Sequence, residues 1–172
     1  AAINANIERL IKDEKVFALT GALLAGAEKE VVQTLAQWEV PLVGPLTLDP
    51  QTGAPLNRQV FYLLSGNGGQ ARALINFVAK QPEVKNNSLT VVYHQSQLNL
   101  GVLKAVLSQS EKESLKAPQV YEYTSGNFDA AEYVKQMRQN PREVVFFMGT
   151  SQDLLSFMRE TAKVNWFPEI LL

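Results

Sequence analysis

The sequence predicts an α/β fold built around parallel sheet. Four short apolar runs, at residues 16–19, 40–43, 89–93 and 144–148, each lead into a polar or glycine-containing segment and then an amphipathic helix. Runs this short and this uniformly apolar are typical of buried strands in a parallel sheet. Strands that alternate with helices indicate a layered α/β domain. Because ligands of open sheets of this kind bind beyond the carboxyl ends of the strands, function is sought in the loops after the four runs.

Composition excludes several classes of function. A hydrophobic fraction of 46% is ample for a packed core, and a charged fraction of 19% argues against disorder. The sixteen basic and seventeen acidic residues are interspersed without a basic stripe, so no nucleic-acid partner is expected. No apolar run approaches the roughly 20 residues that cross a bilayer. The absence of cysteine removes disulfides, thiolate catalysis and most zinc sites, and it fits both the cytosol and the cell envelope.

The remaining elements follow the same rhythm. Further strands are predicted at 60–63, 119–123 and 169–172, and helices at 2–12, 28–37, 70–80, 98–108, 129–139 and 152–162, with Asn127 and Ser151 as N-caps of the last two. The chain is divided near Leu64, into residues 1–63 and residues 64–172. An apolar-faced helix at the start and a strand at the end predict a piece of a longer protein, with a complete natural domain as the alternative.

A glycine-rich segment lies between the two predicted parts. Gly66 to Ala71 match the pattern G-x-G-x-x-A before a helix, which permits a dinucleotide-binding loop. Such a site also needs an acidic residue after the next strand, and the residues there are Tyr93, His94 and Gln95. We therefore favour a hinge or a crossover between two lobes, with the predicted helix beginning only at Gln70.

Catalytic and metal chemistry find little support. His94 is the only histidine, which excludes a histidine-based metal cluster and leaves one candidate base for a Ser-His-Asp triad. No serine lies in a G-x-S-x-G elbow to partner it. A ligand contact or a solvated loop position is the favoured interpretation of His94, and no metal or cofactor is expected. Asp129 and Asp153 are interpreted as carboxylates at helix starts, where they interact favourably with the helix dipole, and a position facing a cleft is the alternative for Asp153.

Taken in chain order, these segments resemble the type I periplasmic binding proteins, in the branch similar to the Leu/Ile/Val-binding receptors of ABC importers. The similar segments are 7–11, 16–21, 40–45, 60–63, 70–74, 89–93, 127–129, 144–147 and 165–168. The resemblance implies two lobes, each a three-layer α/β/α arrangement, that close on a small ligand like a hinge. It implies that 1–63 belong to lobe 1 and 64–172 make most of lobe 2. The family's opening β-α-β unit and its final return to lobe 1 have no counterpart here, so the implied fold is incomplete at both ends.

The resemblance also implies a set of ligand-binding residues in the loops after the strands. They are Ala22, Leu23, Pro45, Leu46, Thr47, His94, Leu98, Thr150 and Ser151. The family usually has hydroxyl residues after the first of these strands, but residues 22–26 carry none. Leu98 and Asn99 stand where an aromatic residue and glycine are common, and Thr150 stands where another aromatic residue is frequent. These departures favour a more apolar ligand, or a receptor that has lost transport-type binding.

Three functions are kept open. The favoured one is a non-enzymatic solute-binding receptor in the periplasm or another extracytoplasmic compartment, with a small-molecule ligand and an ABC permease or membrane sensor as partners. The second is a ligand-independent sensor or interaction domain on the same scaffold. The third is an α/β enzyme, with a nucleotide-dependent enzyme as one form of it, and His94 is the residue that would test it.

Overall fold

The computed structural model describes residues 2–53, 55–81 and 89–172. These residues form six helices and seven strands. The helices are α1 (Ala2–Lys12), α2 (Glu28–Trp38), α3 (Gly66–Val78), α4 (Gln97–Lys112), α5 (Ala130–Arg138) and α6 (Ser151–Lys163). The strands are β1 (Leu19–Thr20), β2 (Leu42–Val43), β3 (Val60–Phe61), β4 (Thr90–His94), β5 (Gln119–Tyr123), β6 (Val144–Met148) and β7 (Glu169–Leu171). The chain divides into two compact units, Ala1–Gly69 and Gln70–Leu172, called unit 1 and unit 2 below.

Unit 1 contains a parallel sheet in the order β1-β2-β3, and its strands are shorter than predicted. The ladder between β1 and β2 begins at the pair Leu19 and Leu42. The residue before Leu42 is Pro41, which has no N–H to donate to a neighbouring strand. The predicted strand at 16–18 therefore lies outside the ladder, and Phe17 is 91% exposed.

The core of unit 1 joins two helices to the sheet. Ile7 and Ile11 of α1 are buried one turn apart, and Val31 and Leu35 of α2 repeat that spacing. Both pairs pack in one cluster with Leu42 of β2. Side chains four residues apart share one face of a helix, so each helix presents an apolar stripe to the sheet, as the sequence predicts.

Unit 2 contains a four-stranded parallel sheet in the order β5-β4-β6-β7. Alternate side chains of the two central strands enter different cores, because successive residues of a strand point to opposite faces. Val91 and Phe146 pack in the cluster that includes α3 and α4. Val92 and Phe147 pack in the cluster that includes α5 and α6. Helices thus cover both faces, and the predicted α/β/α layering is confirmed for this unit.

Two predicted helix caps are wrong by one or two residues. Asp129, not Asn127, caps α5, and its carboxylate accepts a hydrogen bond from the N–H of Glu132. Thr150, not Ser151, caps α6. In both helices the true cap stands three residues before an acidic side chain, a spacing that indicates a helix start in the sequence alone.

The glycine-rich segment also differs from the prediction. Helix α3 begins at Gly66, four residues before the predicted start. Gly66 has φ +65°, and a Cβ there would lie 2.6 Å from the carbonyl oxygen of Leu48. The glycine is therefore required by a close approach of the chain to itself. The strands on either side of α3, β3 and β4, belong to different sheets, which removes the βαβ unit that the dinucleotide alternative needs.

The division of the chain falls between Gly69 and Gln70, inside α3. The assignment of two lobes to 1–63 and 64–172 stays a prediction. Across the part of the chain that the structure describes, every helix is too short or too polar to cross a bilayer.

Candidate functional site

In unit 1, the loops after β1 and β2 run side by side. Leu23 pairs in parallel with Leu46. The N–H of Leu24 donates to the Leu46 carbonyl at 3.0 Å, and the N–H of Leu46 donates to the Ala22 carbonyl at 2.8 Å. The structure therefore brings Ala22, Leu23 and Leu46 together beyond the carboxyl ends of two strands. The side chains of Leu23 and Leu46 are 64% and 52% exposed, so this edge of unit 1 presents an apolar surface.

Thr47 and Pro45, from the same loop, point into the protein instead. Both are buried. The Thr47 hydroxyl donates to Oε1 of Glu28 at 2.6 Å and accepts from the N–H of Asp49 at 3.0 Å. The single hydroxyl hydrogen of Thr47 is thus used in the hydrogen bond to the buried Glu28 carboxylate. A role for Thr47 as a donor to a ligand stays a prediction.

Glu28 is a residue of this region that the sequence did not single out. It is 7% exposed, and its Oε1 accepts from Thr47 and from the N–H of Gly26 at 3.3 Å. Buried carboxylates need such donors because desolvation penalises an unpaired charge. Glu28 therefore ties the segment before α2 to the loop after β2. In the sequence, Glu28 is only an acidic residue in the first turn of a helix, and that position does not predict its contact with Thr47, 19 residues away.

In unit 2, the predicted residues lie at a topological switch point. From β4 the chain passes through α4 to β5 on one side, while β6 lies on the other side of β4. In open α/β sheets the crevice at such a reversal is the usual ligand site. His94 ends β4, Leu98 lies in the first turn of α4, and Thr150 and Ser151 follow β6. All four lie at or just beyond the carboxyl ends of strands at this edge of the sheet.

Asn99 spans this switch point. Its Nδ2 donates to the carbonyl oxygen of His94 at 2.8 Å and to that of Met148 at 3.2 Å. Its backbone N–H donates to Oγ of Ser96, the N-cap of α4, at 3.1 Å. One side chain thus links the carboxyl ends of the two central strands. Sequence reasoning noted Asn99 only as a departure from glycine, since nothing local reveals that β4 and β6 are neighbours.

Thr150 takes part in a second polar cluster at the same edge. Its hydroxyl accepts from the Asp153 N–H at 3.2 Å, and its own backbone N–H donates to Oδ2 of Asp153 at 3.4 Å, which together form a capping box. The Thr150 hydroxyl also donates to Oδ2 of Asp153 at 2.7 Å. Buried Tyr123 of β5 donates to the same Oδ2 at 2.8 Å. Burial, and then the hydrogen bond to this carboxylate, raise the pKa of the Tyr123 hydroxyl. The His94 ring packs edge-on against Tyr123, with 5.6 Å between centroids.

The small residue before Thr150 is required by this cluster. A Cβ on Gly149 would overlap the Tyr123 hydroxyl and lie 2.6 Å from Cε1 of Phe147. Ser151 and Thr150 are exposed.

Elsewhere on unit 2, an open groove of about 580 Å³ is lined by residues 126–131 with Ser156 and Glu160, and it includes none of the predicted ligand residues.

Parallel sheets flanked by helices define the layered α/β class of protein, in which ligands commonly bind beyond the carboxyl ends of the strands. The family model described as periplasmic binding protein matches residues 2–172. This chain therefore belongs to the periplasmic binding protein family. Comparison with curated protein sequences gives no match.

Solved structures of such receptors share the fold. A branched-chain amino acid ABC transporter protein from Thermus thermophilus with bound valine is 17% identical, with TM-score 0.72, over 97% of this chain and 44% of that one. A putative branched-chain amino acid ABC transporter protein from Silicibacter pomeroyi is 11% identical, with TM-score 0.78, over 97% and 45%. A solute-binding protein from R. palustris in complex with benzoate is 15% identical, with TM-score 0.66, over 98% and 46%. This chain thus spans less than half the length of these three relatives.

Proposed function

We propose that this chain belongs to a non-catalytic solute-binding receptor of an ABC importer. The observation that supports it most is the family match over residues 2–172, together with loops of both units at the carboxyl ends of parallel strands. In this proposal the receptor works outside the cytoplasm, and its ligand-bound form is read by an ABC permease. Ligand binding favours one conformation of the receptor over another, and the permease distinguishes the two.

The proposed ligand is a small carboxylic acid with an apolar body, an amino acid or a related compound. Leu23 and Leu46 support the apolar body of the ligand, because both side chains are exposed in the loops that follow the strands. Hydroxyl residues at these positions would suit a more polar ligand. In unit 2, half-buried Leu98 adds an apolar side chain in the first turn of α4, four residues after His94. Valine and benzoate, bound by two of the structurally similar proteins, are both small carboxylates on apolar frames. Backbone N–H groups of the strand-end loops are the proposed partners of the carboxylate.

Ligand screening tests the proposal directly. The complete polypeptide that contains these residues is heated with saturating valine, leucine, benzoate, aromatic amino acids, amides and short peptides, and the melting temperature is measured. A ligand at a hundred times its Kd stabilises the folded state by about 2.7 kcal/mol, which gives a shift of several degrees. Absence of a shift with every class would favour the ligand-independent sensor or interaction domain.

A matched pair of variants locates the binding surface. Leu23→Asp introduces a charge into the proposed ligand surface, and we expect at least a tenfold loss of affinity with little change in stability, because the side chain is already 64% exposed. Phe17→Asp is the control, since Phe17 is 91% exposed in unit 1 and precedes β1, so it lies outside the loops that follow the strands. Equal losses of affinity in both variants would contradict the proposed surface. Turnover that disappears on replacing His94 would contradict the non-catalytic role.

A further inference from the structure

We infer that Glu28 is a positioning residue of unit 1, which keeps the proposed ligand surface apolar by holding the hydroxyl of Thr47 inside the protein. The inference rests on the proposed function. It goes beyond that function because it names the residue that determines how the surface discriminates between ligands with and without a hydroxyl group. It starts from the side chains of the loop after β2.

This loop has an inverted pattern of burial. Over residues 45–48, buried and exposed side chains alternate as they do in a β-strand. Leu46 and Leu48 are 52% and 59% exposed, whereas Thr47 between them is 8% exposed. Two leucines thus face outward and a hydroxyl faces inward, which is the opposite of what the hydrophobic effect favours. Another interaction is needed to fix this arrangement.

A shift of the loop by one residue would reverse the pattern, because it turns every side chain to the other side. A shift that brings Pro45 to the place of Leu46 is blocked. The N–H at that place donates to the Ala22 carbonyl at 2.8 Å, and proline has no N–H. The backbone allows the opposite shift, since Thr47 has both an N–H and a carbonyl group. That shift would bury Leu46 and Leu48 and expose the Thr47 hydroxyl.

Glu28 opposes this second shift. Its side chain is buried, and its Oε1 accepts a hydrogen bond from the Thr47 hydroxyl at 2.6 Å. The shift would replace this donor with the side chain of Leu48. A buried carboxylate that loses a hydrogen-bond donor is strongly disfavoured. Glu28 therefore selects the register in which Leu46 pairs with Leu23 and faces outward.

The selected register decides which ligands the surface favours. With the leucines outward, a ligand hydroxyl that meets the surface loses its hydrogen bonds to water and gains none. With Thr47 outward, the same ligand hydroxyl gains a partner. Glu28 thus sets the preference without touching the ligand. The inference opposes the sequence-based prediction that Thr47 donates to the ligand, and the same experiment decides between the two.

Two matched pairs of probes test the inference. Threonine has a hydroxyl where valine has a methyl group, and 4-hydroxybenzoate has one hydroxyl more than benzoate. Calorimetry on the complete polypeptide gives the ratio of the two affinities within each pair. We expect the wild type to prefer valine or benzoate at least about tenfold over its partner. Glu28→Leu is expected to reduce that preference at least about fivefold, whereas Glu28→Gln, which keeps Oε1 as an acceptor, retains it.

A second substitution distinguishes positioning from a general structural role. Thr47→Val removes the hydroxyl that the shift would expose, so Glu28→Leu combined with Thr47→Val is expected to recover the preference of the wild type. Glu28→Leu combined with Thr34→Val is the matched control. Thr34 is also 8% exposed in unit 1, and its hydroxyl donates to Oδ1 of Asn4 at 2.8 Å. Loosening of unit 1 as a whole would be reversed by neither valine.

The ratio protects the test against partial loss of folding. A variant that is only partly folded binds both members of a pair more weakly by the same factor, so the ratio is unchanged. Glu28→Ala removes the same acceptor and serves as a second variant beside Glu28→Leu.

The outcomes separate the inference from the proposed function. A reduced preference in the Leu and Ala variants of Glu28, restored by Thr47→Val and not by Thr34→Val, would support the inference. An unchanged ratio, or a reduction that Glu28→Gln shares or that Thr47→Val leaves in place, would overturn it while the receptor function stands. A wild type that binds a compound of the wider screen without preferring valine or benzoate over its partner would do the same. A wild type that binds no compound at all would overturn the proposed function and this inference together.

Discussion

The hydrogen bond between Tyr123 and Asp153 offers a quantitative test of how the edge of unit 2 is held together. Tyr123→Phe deletes a hydroxyl that donates to Oδ2 of Asp153 at 2.8 Å. Hydrogen bonds to charged groups contribute about 1.5–3 kcal/mol to stability. We expect the low end, about 1.5 kcal/mol, because Asp153 is half-buried and the same oxygen still accepts from the Thr150 hydroxyl.

A double-mutant cycle isolates this bond from the helix cap. Asp153→Ala removes both the partner of Tyr123 and the capping box of α6, so its own effect is the larger. The expected coupling energy between Tyr123→Phe and Asp153→Ala is about 1–1.5 kcal/mol. Tyr133→Phe is the matched control. Its hydroxyl donates at 2.7 Å to the backbone carbonyl of Glu122, an uncharged acceptor, so no coupling to Asp153 is expected.

The assay is urea unfolding near pH 7. Trp166 reports on this region, since it is buried in the cluster that contains Tyr123 and Phe157. Trp38→Phe in every protein of the series makes Trp166 the only tryptophan. A coupling energy below about 0.3 kcal/mol, the usual error of additivity, would refute the assignment of a stabilising bond.

Three further predictions concern the interior of unit 2. The Tyr93 hydroxyl donates to Glu122, and this hydrogen bond raises the pKa of Tyr93 to about 12. Above about pH 10 the unfolded chain therefore loses the hydroxyl proton of Tyr93 before the folded chain does. The free energy of unfolding then falls by up to about 1.4 kcal/mol per pH unit. Gly149→Ala is expected to cost about 1–3 kcal/mol, since its Cβ would contact Phe147. Phe157→Ala, at a fully buried position, is expected to cost about 3–5 kcal/mol.

Each of these measurements has its own control. Tyr93→Phe is measured by urea unfolding across the alkaline range, and an alkaline slope as steep as that of the wild type would contradict the first prediction. Gly53→Ala is compared with Gly149→Ala, because a Cβ at Gly53 meets no atom within 4 Å. Phe167→Ala, at 76% exposure, is compared with Phe157→Ala. Equal losses of stability within either pair would show that packing at the buried position is not the cause.

The central strands of unit 2 were predictable because a strand that is buried on both faces is a nearly continuous apolar run in the sequence. Strand β6 is uniformly apolar and β4 is apolar except for Thr90 and His94, and both strands were found at or within one residue of the predicted ends. In unit 1 the same kind of run gave strands of two residues. Apolar character marks a segment as buried, but the extent of a strand depends on its partner, and Pro41 limits the ladder there.

The candidate site was predictable only in outline. Loops after strands were the right places to search, and the pairing of Leu23 with Leu46 follows from the parallel order of β1 and β2. Asn99 and Glu28 were not predictable. Each acts through atoms of a segment that sequence places elsewhere, 49 residues away for the bond of Asn99 to Met148 and 19 for that of Glu28 to Thr47. Such contacts depend on which strands are neighbours, which local patterns do not encode.

The central position of β4 determines how slowly its amide hydrogens exchange with deuterated solvent. Strand β4 has a hydrogen-bonded neighbour on each side and a helical layer on each face, so its N–H groups are released only when the whole of unit 2 opens. The N–H groups of β1, in a two-residue strand at a sheet edge, need only a local opening. Mass-spectrometric exchange would therefore label β1 long before β4, and the protection of β4 would measure the global stability of its unit.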